Sequence, residues 1–181
     1  KDIALVKEVL KDVAPTVAVT ITGDISAADA AAIAGDSVLT ATIKAGTVKD
    51  TLKAIEDVDA ADVITFKTTD TSVDATELVA LEALVDTLDV SSVKTITSAT
   101  ASSVAEALAI VEDANVTITG SITAANAKTI AEATEGVLTA TITGDTAANL
   151  LGALGDTNTS DILALTVNDA SLAAAGTIAL V

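Results

Sequence analysis

Val19-Thr-Ile-Thr-Gly23 recurs as Val116-Thr-Ile-Thr-Gly120, and Val38-Leu-Thr-Ala-Thr-Ile43 recurs as Val137-Leu-Thr-Ala-Thr-Ile142. The first pair lies 97 residues apart (19 to 116) and the second 99 (38 to 137), so two residues are inserted between them. The longer offset then holds: Leu52 matches Leu151, Asp57 matches Asp156, Asp62 matches Asp161 and Asp70 matches Asp169. Self-similarity at a fixed period marks a chain assembled from like units. The expected organisation is one repetitive domain over 1–181, with super-repeats at about 15–113 and 114–181, the second incomplete.

Each super-repeat divides again. Short runs rich in Val, Ile and Thr fall near 17–22, 38–43, 62–67, 92–97, 115–119, 137–142 and 162–167. Such β-branched residues suit a pleated, half-buried surface. Ala/Leu-rich stretches with helical spacing lie between them, among them Val48-Leu52-Ile55, Leu78-Leu81-Leu84-Val85-Leu88 and Val104-Leu108-Val111. Residues 1–13 read as a further helix on Ile3, Val6 and Leu10. Helix starts are expected at Ser26, Thr47, Asp74 and Ser103, each followed by an acid three residues on. There a side-chain oxygen can accept from the orphan amides of the first turn.

Strand, short loop and short helix repeating every 20–30 residues call for parallel strands joined by right-handed crossovers. The expected fold is α/β: a right-handed β/α solenoid of short parallel strands and short helices in consecutive order, stacked as in leucine-rich repeats. Apolar residues alternate with Thr along each strand, as in Val17-Val19-Ile21 and Leu39-Ala41-Ile43. One sheet face therefore faces helices, and a Thr-bearing face stays open or lightly covered.

The residue inventory narrows function. The chain has no His and no Cys, all its basic residues are Lys, and Phe66 is its only aromatic residue. The usual general bases and thiol nucleophiles are missing, and so are the aromatic walls of most ligand pockets, so the chain reads as a non-enzyme. A net charge of −17 opposes nucleic acid and anionic membrane surfaces alike. The 50% hydrophobic content argues for a packed core, and no apolar run reaches the length of a membrane span. The absence of cysteine fits a reducing cytosol and a disulfide-free secreted protein equally, while the acidity and the simple side-chain set suit an extracellular setting.

Asp70-Thr-Ser-Val-Asp-Ala75, with Leu78 and Leu81, and then Asp89-Val-Ser-Ser-Val-Lys-Thr-Ile-Thr97 resemble the arrays in very large repetitive surface proteins of cyanobacteria and other aquatic bacteria. The resemblance runs through most of residues 15–181. It implies a surface-layer or adhesin-like, type I-secreted protein at the cell surface. The Gly-Gly-x-Gly-x-Asp nonapeptide that binds calcium in such proteins is absent from this sequence.

Two constellations could carry function. Thr20, Thr22, Thr40, Thr42, Thr117, Thr119, Thr139 and Thr141 would form a regular array across parallel strands, able to order water or sugars. The simpler reading is that Thr is the best polar strand former for an open face. Asp57, Asp59 and Asp62 place spaced oxygens on one loop, the arrangement calcium takes, although solvated helix-to-strand turns also carry such acids. Gly23, Gly120 and Gly144 follow strands without any phosphate-loop motif and read as turn glycines.

The last five residues, Thr177–Val181, read as an unfinished strand, and neither end of the chain reads as capped. The expectation is therefore a structural segment of a longer surface protein, adhesin stalk or filament, whose partners are neighbouring repeats or further copies of itself. The second expectation is an adhesin module whose Thr face binds a cell-surface glycan or ice. Calcium is the only cofactor the pattern admits.

Overall fold

The computed structural model describes residues 3–12, 16–56, 58–155 and 157–169. The expected strand at 177–181 lies outside them. The architecture is α/β. In chain order the elements are α1 (Ile3–Leu10), β1 (Ala18–Thr20), α2 (Ala27–Ala34), β2 (Val38–Thr42), α3 (Val48–Ala54), β3 (Val63–Lys67), β4 (Ser72–Asp74), α4 (Ala75–Glu82), β5 (Thr87–Asp89), β6 (Thr95–Ser98), α5 (Val104–Ile110), β7 (Asn115–Ile122), α6 (Ala124–Ala133), β8 (Leu138–Ile142), α7 (Ala147–Leu154) and β9 (Ile162–Ala164).

The chain divides into two compact units, Lys1–Thr71 with Glu77–Val93, and Ser72–Thr76 with Lys94–Val181. The first holds a four-stranded sheet in the order β1-β2-β3-β5, the second a five-stranded sheet in the order β4-β6-β7-β8-β9. Every strand pairing is parallel. Strand order follows chain order in both sheets, except that β4 belongs to the second sheet and β5 to the first.

Those two strands were not expected from the sequence. The apolar stripe from Leu78 to Leu88 suggests a single helix, yet α4 ends at Glu82 and Leu88 sits in β5 opposite Phe66. The helical period continues by coincidence into a three-residue strand whose pairing holds Leu88 in extended backbone. Ser72-Val-Asp74 is likewise too short for period-2 alternation to show.

Alternation decides which face is buried. Along β2, Leu39 and Ala41 are buried while Thr40 and Thr42 are exposed; along β3, Ile64 and Phe66 are buried between Val63, Thr65 and Lys67. The first unit's core joins these side chains to Ile33, Ile55, Leu78 and Leu81, all fully buried. In the second unit Ile96, Val116, Leu138 and Ile142 meet Val104, Ala107, Ile130 and Leu150 from the helices. Each fully buried Leu, Ile or Phe contributes roughly 1.5–3 kcal/mol relative to exposure.

Caps start the helices. The side chains of Ser26 and Thr47 accept from the amides of Asp29 and Asp50, as their spacing predicts. Thr123 and Thr146 do the same for Asn126 and Asn149. Their signal was weaker, because no acid follows three residues on. Ser103 makes no side-chain cap bond, and Asp74 caps one residue nearer, accepting from the Thr76 amide at 2.8 Å. Two glycines are fixed by geometry. Gly23 has φ 86°, a left-handed turn that side chains resist. Gly120 is no turn glycine: it lies inside β7 at a register shift against β8, where a Cβ would collide with the Ala99 carbonyl oxygen.

Candidate functional site

The Thr face forms in each unit. In the first, Thr20 pairs with Thr40 and Thr40 with Val63; one row along, Thr42 pairs with Thr65 and Thr65 with Thr87. Thr20, Thr40, Thr42 and Thr87 are exposed and Thr65 is half-buried. Thr22 is exposed beyond the end of β1. Thr65 and Thr87 complete a row of hydroxyls that the sequence did not single out. Val63, 46% exposed, interrupts the neighbouring row. Beyond the Thr row Lys67 lies across from Asp89. Its Nζ stands 2.6 Å from an Asp89 carboxylate oxygen and 3.3 Å from the Ser91 hydroxyl. The Lys67 bond, with bonds from the Ser91 hydroxyl and the Ser91 amide, holds the Asp89 carboxyl well below its ordinary pKa.

In the second unit one row runs Asp74–Thr97–Thr117–Thr139–Ile162, and another Ser121–Thr141–Ala164. Here hydroxyls are partly spent on backbone. Thr97 donates to the Val73 carbonyl at 3.1 Å, and Thr119, in the β7 irregularity, to the Ser98 carbonyl at 3.3 Å. The second array is therefore less regular and less free to meet a ligand than the first.

The acidic loop has a different occupation. Asp62 is buried, and its two carboxylate oxygens accept from the Leu39 amide at 2.7 Å and the Asp59 amide at 3.0 Å. Asp59 is exposed and closes a turn onto the Ala61 amide. Asp57 lies outside the described residues. Among the described residues no group of three or more His, Cys, Asp or Glu is placed to hold a metal ion.

Other carboxylates bond backbone amides of the neighbouring turn of chain. Asp86 accepts from the Ile64 amide at 2.9 Å, and Asp161 from the Leu138 amide at 2.9 Å. Asp70 and Asp169 accept from the first helical amides of α3 and α7, Val48 and Ala147, both at 2.7 Å. Asp62 with Asp161, and Asp70 with Asp169, are the pairs related by 99 residues in the sequence. The repeat thus preserves the same backbone contact in each unit. The recurrence of these acids was the available signal; what it did not reveal was the amide each one meets.

Elsewhere in the second unit, an open groove of about 480 Å³ lies between α5 and α6, floored by Leu108 and Ala109 and walled by Glu112, Asp113, Glu132 and Glu135. Among the described residues no helix is long and apolar enough to cross a membrane. No family model, curated protein or solved structure matches the chain.

Proposed function

We propose that this chain is a structural segment of an extracellular repetitive protein, a part of a surface layer, adhesin stalk or self-assembling filament, built as a β/α solenoid. One observation carries the reading: paired residues in neighbouring strands lie 20–23 positions apart in both sheets, as in Ala18 with Val38, Thr40 with Val63, Thr95 with Asn115 and Thr139 with Ile162. A spacing held within 20–23 positions means that each turn of chain adds a similar rung, the economy of a protein that sets distance and stiffness. The Asp-to-amide bonds clamp rung to rung, and the remaining acidity keeps an extended array soluble. The role is mechanical rather than catalytic, with neighbouring repeats or further copies as partners and divalent cations offsetting repulsion.

Sedimentation velocity at rising protein concentration, in millimolar calcium and again in chelator, tests the reading. Assembly that grows with concentration and strengthens with calcium is expected. A monomer at every concentration contradicts self-association, and assembly indifferent to chelator removes the role for the cation.

A second reading is a glycan- or ice-binding module, favoured by the exposed Thr42–Thr65–Thr87 row. It requires thermal hysteresis or glycan-array binding that Thr42→Val with Thr87→Val abolishes. Neither signal from the unsubstituted chain would end it.

A further inference from the structure

The sequence holds two Asn-x-Ser/Thr triplets, Asn115-Val-Thr117 and Asn158-Thr-Ser160, the acceptor pattern for N-linked sugars. The fold treats them oppositely. Asn115 opens β7: its amide donates to the Lys94 carbonyl at 3.0 Å, and its side-chain oxygen accepts from the Val137 amide at 2.8 Å. The next amide, Val116, is bound to the Val137 carbonyl, and Thr117 is paired between Thr97 and Thr139. A transferase must draw the acceptor backbone into its own site, and here that requires opening β7 from both neighbours.

Asn158 lies on the connection from α7 to β9, outside every strand pairing, with Asn158, Thr159 and Ser160 all exposed. The Ser160 hydroxyl and amide both donate to the Asn158 side-chain oxygen, at 2.9 and 3.1 Å. Among the described residues the one other backbone bond to this triplet is local, from the Asp161 amide to the Asn158 carbonyl. Among the described residues nothing accepts from Asn158 Nδ2. The hydroxyl bond draws electron density towards the carbonyl oxygen and so makes the Nδ2 proton easier to lose.

From these facts we infer that the folded chain presents Asn158 as an acceptor for an N-linked sugar and withholds Asn115. The donor is a sugar activated at its anomeric carbon by a nucleoside or polyprenyl diphosphate. Asn158 Nδ2 forms a bond to that carbon, the carbon–oxygen bond to the diphosphate breaks and the diphosphate leaves with the electron pair. The transferase's base takes the Nδ2 proton.

The first super-repeat supplies an internal control. The residues 99 positions earlier are Asp59-Ala60-Ala61, and Asp59 closes the same turn onto the Ala61 amide at 2.7 Å. The turn is shared by both repeats, but only the second carries the acceptor and its hydroxyl. Asp59→Asn with Ala61→Ser should therefore create a second acceptor.

The test is incubation of the folded chain, and of the chain in urea tolerated by the enzyme, with a purified N-glycosyltransferase and UDP-glucose, followed by intact-mass and peptide mapping. The folded chain should gain one hexose at Asn158, and none after Ser160→Ala. Transfer to Asn115 should be at least about a hundredfold slower, because it waits on local opening of the strand pair. The Asp59→Asn/Ala61→Ser chain should gain two hexoses. Transfer to Asn115 in the folded chain at a comparable rate, or no transfer to Asn158 in the folded chain whatever happens in urea, overturns the inference.

Discussion

Asp62→Ala separates a structural acid from a metal ligand. In the structure the Asp62 carboxylate is buried and satisfies two amides, those of Leu39 and Asp59. Leu39 is fully buried, so its amide has no access to water once the acceptor is removed. A stranded buried donor costs about 1–3 kcal/mol. The Asp59 amide belongs to an exposed residue, where water replaces the lost bond at small cost. The sum stays at about 1–3 kcal/mol, because that small cost is offset by removing one negative charge from a chain at −17. With a urea slope of about 2 kcal/mol per molar, the midpoint should fall by about 0.5–1.5 M. Asp161→Ala, its counterpart, should cost about 1 kcal/mol less, because one Asp161 oxygen is buried with no hydrogen-bond partner among the described residues and its removal relieves a penalty. Urea titrations followed by far-UV circular dichroism, in chelator and in calcium, provide the assay. Loss of the same size in both solutions is expected. A shift below about 0.3 M in chelator, with a large loss only in calcium, would refute the bridging role and restore Asp62 as a ligand.

Other substitutions test the packing and the charges. Phe66→Ala removes a fully buried aromatic side chain and should cost about 3–5 kcal/mol in the same titration. Gly120→Ala should destabilise, since the new methyl meets the Ala99 carbonyl oxygen, while Gly152→Ala in α7 meets nothing within 4 Å and should stabilise by about 0.5–1 kcal/mol. Opposite signs in differential scanning calorimetry are the expected result. Asp29, bonded to Lys7 and Ser26, and Asp145, bonded to Asn149 and the Thr146 amide, have folded pKa values below the ordinary 3.8. The unfolded chain thus binds protons at these sites first, so their stabilisation is present above that value and lost as pH falls through it towards the folded values. Urea midpoints measured down an acid series should fall over that window, and Lys7→Ala should make the fall shallower.

Much of the architecture was legible because it rests on alternation and repetition. Leu39, Ala41, Ile64 and Phe66 fall on the buried face as the alternation of β2 and β3 requires, and the Thr residues between them face outward. Ser26 and Thr47 cap helices through a local rule contained in four residues. The failures share a cause. Ser72–Asp74 and Thr87–Asp89 are strands through their partners, Thr95–Thr97 and Thr65–Lys67, and carry almost no period of their own. Leu88 continued a helical stripe that pairing overrode. Of the acidic loop, the sequence showed spaced oxygens; it could not show that the Leu39 amide, 23 residues away, occupies one oxygen of Asp62. The Thr face was found from its spacing, but Thr65 and Thr87 join it only through register.

The stacking of like rungs is tested most directly by nuclear Overhauser effects between backbone protons of the strands. Cross-strand contacts should connect Thr42 with Thr65, Thr65 with Thr87, and Thr117 with Thr139, at sequence separations near 22 and without the close Hα–Hα contacts of antiparallel pairs. Strong Hα–Hα contacts between these strands, or pairings at unrelated separations, would contradict the account.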